Sequence, residues 1–125
     1  MKRAGRVLVA DDDAWVCTMV ADVLEHEGYD VVTAHNGAEA LAVMRATRPD
    51  CVVLNLTMPV LSGWGFLKAC RRERLYASTP VLIMSASRDL AEAVPSELRV
   101  EHILAKPFDL DTLLEAVKQL VVCAS

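Results

Sequence analysis

Three consecutive aspartates, Asp11, Asp12 and Asp13, follow directly on the apolar run VLVA. Carboxylates this close repel one another, so the run is stable mainly where a cation or a lysine offsets it. A hard divalent ion suits the task, because Mg²⁺ takes oxygen ligands, keeps several waters and needs only one or two carboxylates plus a backbone carbonyl. Asp13 has a plainer role available as the cap of the helix that follows, though a cap does not need three aspartates. Lys106, taken alone, reads as a surface lysine before a turn. Set against the acidic run, its ammonium could neutralise a carboxylate and hold an oxygen of a phosphoryl group. Ser85 alone would only satisfy a turn, yet in this company its hydroxyl can donate to the same oxygen. Asn55 adds an amide at the end of another apolar run.

These side chains can cooperate only if the chain folds them to one edge. Five short β-branched runs are legible: RVLVA (6–10), DVVTA (30–34), CVVL (51–54), PVLIM (80–84) and HILA (102–105). Longer stretches with apolar residues at helical spacing separate them, and such alternation predicts a parallel sheet covered on both faces. The first helix carries Val16, Met19, Val20, Val23 and Leu24 on one stripe and stops at Gly28. Asn36 and Glu39 form a capping pair for the second. The third begins near Gly63 and runs through Phe66, Leu67 and Cys70. The last, behind an Asp109 cap, carries Leu110, Leu113, Leu114, Val117, Leu120 and Val121. A fourth helix over 88–99 is cut to about two turns by Pro95. In a doubly wound sheet, functional residues collect at the carboxyl ends of strands, and Asp11, Asn55, Ser85 and Lys106 all stand at such ends.

Composition sets the frame. A chain of 125 residues, 54% hydrophobic and 24% charged, has the size of one domain, here residues 1–125. It buries roughly 65 to 70% of its unfolded surface, so it needs neither disulfides nor a structural metal. A net charge of −4 argues against direct docking on nucleic acid or an anionic membrane. No apolar stretch approaches a bilayer span, and no signal-peptide core precedes the aspartates, which points to a cytoplasmic protein. Cys17, Cys51, Cys70 and Cys123 lie far apart among mostly apolar neighbours and read as small buried hydrophobes, with Cys123, near a terminus, as the candidate for an exposed thiol.

The segments VLVADDD, PDCVVLNLTMPVLSG, VLIMSA and AKPF, in that order and spacing, resemble the receiver domain of bacterial response regulators, from Val7 to about Val121. The resemblance implies a flavodoxin-like doubly wound five-stranded parallel sheet, order 2-1-3-4-5, with about five helices. It implies Mg²⁺ held by Asp11, Asp12, residue 55 and the backbone carbonyl of Thr57. It also implies a phosphoacceptor at residue 55, contact of Ser85 and Lys106 with the phosphoryl group, and a cis Lys106–Pro107 bond. The implied upstream partner is a histidine kinase or phosphotransfer protein. The chain is read as a two-component signalling module and not as an enzyme.

The sequence departs from that pattern where the chemistry is centred. Asn55 stands at the acceptor position, and an uncharged amide cannot form the acyl phosphate that a carboxylate forms. With Asn55, the charges of Asp11, Asp12 and Lys106 sum to −1 where an aspartate would give −2, so Mg²⁺ binding should weaken. Two origins fit: a natural receiver that signals without phosphate, or an engineered inert variant. Ile103 stands where the family usually places an aromatic that swings inward on activation. Isoleucine suits a buried β position, and the signal would then be carried by backbone shifts.

Other classes fit less well. Asp11 and Asp13 satisfy the D-x-D spacing of a haloacid-dehalogenase-like aspartate-nucleophile phosphohydrolase, but Ala14-Trp15 replaces the usual Gly-Thr. A flavodoxin-type flavin module would need a first loop that cradles phosphate, and three aspartates would repel one. A ligand-free interaction domain differs in one observable: Mg²⁺ should not perturb the fluorescence of Trp15, which lies near the acidic edge.

Overall fold

A computed structural model describes residues 5–75, 79–86 and 100–124, with side chains to 121. The β-branched runs form strands β1 (Arg6–Ala10), β2 (Asp30–Ala34), β3 (Cys51–Asn55), β4 (Val81–Ser85) and β5 (His102–Ala105). Every pairing is parallel and the order is β2-β1-β3-β4-β5. Strands β3 and β4 are buried at all five positions, as strands covered on both faces must be, whereas the edge strands β2 and β5 are only partly buried. The described residues hold four helices, α1 (Ala14–His26), α2 (Gly37–Thr47), α3 (Gly63–Glu73) and α4 (Leu110–Ala124). The helix expected over 88–99, with its break at Pro95, lies outside the described residues, as does the side chain of Cys123.

Period-two alternation along the strands feeds two separate cores. Leu8, Val52, Leu54 and Ile83 face α2 and α3, where Leu41, Met44, Phe66 and Leu67 meet them. Val7, Val9, Val53 and Met84 face α1 and α4, against Val20, Leu24, Leu113 and Val117. The buried stripe of α1 is Cys17, Val20, Ala21 and Leu24. Met19, expected on that stripe, is instead exposed, because the apolar face of the helix is centred one position away.

The ends of the helices obey the expected chemistry. Asn36 Oδ1 accepts from Glu39 N at 2.9 Å, and Glu39 returns a carboxylate oxygen to His35 N at 3.1 Å. Asp109 Oδ1 accepts from Asp111 N at 3.1 Å at the start of α4. Gly28, at φ +97°, takes the left-handed turn after α1. Ile103 is 38% exposed on β5, which corrects the expectation of a buried position; β5 is an edge strand whose only buried residue is Leu104. Among the described residues no helix is long and apolar enough to cross a membrane.

Candidate functional site

The strand order decides where the site lies. From β1 the chain leaves through α1 to β2 on one side, and from β3 it leaves through α3 to β4 on the other, so the connections part between β1 and β3 and leave a crevice at their carboxyl ends. Ala10 pairs with Leu54 in register, which brings the next residues, Asp11 and Asn55, to adjacent places at that rim. Ser85 pairs with Ala105, and its carbonyl accepts from Lys106 N at 2.8 Å, which delivers the lysine to the same rim from β5.

Asp11 is the buried centre. Its side chain is fully enclosed, yet both oxygens are satisfied. Oδ2 meets Lys106 Nζ at 2.7 Å, while Oδ1 accepts from Asp13 N at 2.9 Å and from Asn55 Nδ2 at 3.3 Å. A buried carboxylate is tolerable only when paired and hydrogen-bonded in this way. Asp12 is exposed, and its Oδ1 accepts from Asn55 Nδ2 at 3.2 Å. The Thr57 side chain points to solvent while its backbone carbonyl accepts from the same nitrogen at 2.8 Å. Ser85 is buried at the end of β4, and the Lys106–Pro107 peptide is cis. The sequence-predicted residues 11, 12, 55, 57, 85 and 106 are thus gathered at one rim.

Asp13 stands apart from that group. Its side chain accepts from Trp15 N at 2.9 Å and Val16 N at 3.4 Å as the cap of α1. The D-x-D reading therefore loses its second acid to a structural task. Trp15 is 71% exposed in the first turn of the same helix.

Three positioning residues escaped the sequence reading. The Cys17 thiol donates to the Asp11 carbonyl at 3.2 Å, and burial pushes its pKa up to about 11, so it stays a neutral donor beneath the site. Its position six residues after Asp11, on the inward stripe of α1, was the available signal. Gly63 lets α3 press on the end of β3: a Cβ there would lie 2.6 Å from the Asn55 carbonyl oxygen and 2.8 Å from Leu56 Cα. Val60 occupies the left-handed region at φ 67°, while Leu61 N bonds to the Pro59 carbonyl at 2.7 Å across it. The resulting tight turn carries the chain from the Thr57 carbonyl back to α3.

The oxygens of Asp11, Asp12 and Thr57 are the hard donors that Mg²⁺ prefers. The Asn55 amide nitrogen, however, fills the space between them, so a cation would fit only once that amide has turned away. Among the described residues no group of three or more His, Cys, Asp or Glu side chains could hold a metal ion.

Residues 7–118 match the family model of the response regulator receiver domain. The chain belongs to that family. It is 39% identical over 117 residues to the transcriptional regulatory protein PrrA of Mycobacterium leprae, a match covering 93% of this chain and 49% of that protein. The receiver thus spans about half the length of the curated relatives it matches. Among solved structures, the receiver domain of the Francisella response regulator 1452 superposes with a TM-score of 0.87 at 31% identity, covering 97% of this chain and 99% of that one. The response regulator TrrA of Thermotoga maritima, solved in complex with Mg(2+)-BeF, superposes with a TM-score of 0.81 at 30% identity, covering 92% of this chain and 97% of that one. The sheet order is the flavodoxin-like one that the resemblance implied, and the protein is a receiver of two-component signalling. Family membership leaves the phosphohydrolase reading without support.

Proposed function

We propose that this receiver works in two-component signalling without carrying a phosphoryl group on residue 55, and passes its signal by binding a partner protein. The observation that carries the reading is Asn55 at the end of β3, adjacent to Asp11 and one residue removed from Lys106 through that carboxylate. An aspartate there would offer a charged oxygen to an incoming phosphorus atom. The amide offers a neutral oxygen and a delocalised nitrogen, neither of which forms a stable acyl phosphate.

The other parts of a phosphoryl site are retained. Lys106 would hold a phosphoryl oxygen as a point charge, and Ser85 would donate to another from the end of β4. Asp11, Asp12, the Thr57 carbonyl and, with its oxygen turned inward, Asn55 would hold Mg²⁺, bound more weakly than with an aspartate. When bound, the ion would neutralise charge on the phosphoryl oxygens. The upstream partner is a histidine kinase or phosphotransfer protein, the location is cytoplasmic, and the net charge of −4 disfavours direct contact with nucleic acid. Whether the wild-type family chemistry ended by natural divergence or by design, the chemical outcome is the same.

The test exposes the protein and its Asn55→Asp variant to a small acyl-phosphate donor with Mg²⁺ and measures intact mass. Only the Asp variant should gain one phosphoryl group. Gain by the Asn55 protein at this site, or by neither form, overturns the proposal.

A further inference from the structure

We infer that the Asn55 carboxamide is a built-in substitute for the divalent cation, which makes the crevice self-sufficient without metal. The inference rests on the reading of Asp11, Asp12 and the Thr57 carbonyl as the cation-binding oxygens. Asn55 Nδ2 lies 3.3 Å from Asp11 Oδ1, 3.2 Å from Asp12 Oδ1 and 2.8 Å from Thr57 O. One nitrogen therefore faces one oxygen from each of the three groups that would otherwise share the ion.

The orientation of the amide follows from its surroundings. Turned the other way, its oxygen would face three acceptors with no proton among them. With the nitrogen inward, two N–H groups are shared over three oxygens, and Asp11 Oδ2 is left to Lys106 at 2.7 Å. Among the described residues no buried side-chain nitrogen or oxygen lacks a partner. An aspartate at the same place would add a third carboxylate and remove the donor that Asp11, Asp12 and the Thr57 carbonyl share, which is the arrangement that calls for a cation.

The amide also acts as a tie. It joins Asp11 at the end of β1, Asp12 in the following turn and Thr57 in the loop after β3. These are the two loops that a shared ion would hold together. A cation can enter only if the amide rotates by about half a turn, breaking three N–H···O contacts and returning one oxygen as ligand. Mg²⁺ therefore gains little by binding, and Asn55 is a positioning residue for the two loops.

The test compares thermal unfolding midpoints in EDTA and in millimolar Mg²⁺ for the Asn55 protein, taken as the reference and called wild type, and for Asn55→Asp and Asn55→Leu. The wild-type midpoint should move by less than about 1 °C between the two conditions, since a ligand that binds weakly stabilises little. Asn55→Asp should unfold about 5 °C lower in EDTA and recover most of that loss with Mg²⁺. Asn55→Leu, which keeps the branched shape and removes the donor, should also fall in EDTA. In ¹H–¹⁵N spectra, Mn²⁺ should broaden the signals of residues 12 and 57 in Asn55→Asp at a concentration about tenfold below that needed in the wild type, a difference equal to one decade in affinity. The inference fails if Mg²⁺ raises the wild-type midpoint as much as it raises that of Asn55→Asp. It also fails if both variants match the wild type in EDTA, or if Mn²⁺ broadens wild type and Asn55→Asp alike. None of these readouts involves phosphate, so a failure of the phosphorylation test would be seen separately.

Discussion

Asp11 illustrates how a charge survives at the end of an apolar sheet. It has no solvent exposure, so its stability depends on Lys106, the Asp13 amide and Asn55. Replacing Lys106 by Met would strand the carboxylate and should destabilise the protein by about 3 kcal/mol, the usual consequence of breaking a buried pair. Urea unfolding measures this directly, and a loss below about 1 kcal/mol would mean that the pair behaves like a surface bridge. The buried thiols yield a second expectation at this scale. Burial raises Cys17 from 9.0 to about 11 and Cys51 and Cys70 from 9.0 to about 12. The unfolded chain therefore gives up these protons first as pH rises, so the contribution of the three thiols to stability is full below about pH 9 and is lost as the pH climbs toward the folded values. The three thiols should resist a thiol reagent at pH 8 until denaturant is added; prompt labelling of Cys17, Cys51 or Cys70 in the native protein would contradict their burial.

Among the elements, the loop between β3 and α3 departs most from local preference. Val60 is β-branched, 82% exposed and held at φ 67°. Such a conformation costs about 1–3 kcal/mol for a residue of this type. Val60→Gly should relieve part of it and raise the unfolding free energy by about 1 kcal/mol after the entropy of glycine is subtracted. A lower urea midpoint for that variant would show that the valine is not strained. Strand limits were legible because β-branched runs are short and bounded: three of the five runs, at 6–10, 30–34 and 102–105, coincide with the observed strands. Caps at Asp13, Asn36 and Asp109 were equally legible, since a short polar side chain ahead of an apolar stripe has few other tasks. The Val60 turn was not, because valine at positive φ contradicts its own propensity. Ile103 was misjudged for a related reason: residue type reported β structure but not that β5 lies at the edge.

For the whole molecule, the alternation of strands and helices foretold a parallel sheet covered on both faces, the resemblance to receiver domains implied its order, and the carboxyl ends of the strands marked the rim at which the polar groups gather. What the sequence did not disclose was the direction of the Asn55 amide, because that depends on three acceptors brought together from separate loops. The spacing of Cys17 from Asp11 was a signal for the thiol's contact with the Asp11 carbonyl, but the contact itself exists only once α1 lies on the sheet. Asp11 bonds both to Asn55 and to Lys106, which makes the three residues testable as one site. The most direct measurement starts from the Asn55→Asp protein and follows phosphoryl incorporation from an acyl phosphate with Mg²⁺, alone and with Asp11→Asn or Lys106→Met added. Rapid incorporation is expected, falling by about 100-fold with either added change, in line with the loss of a charge that stabilises the transferring group. Incorporation undiminished by both changes, or taken up at some residue other than 55, would contradict the reading of the three as one site.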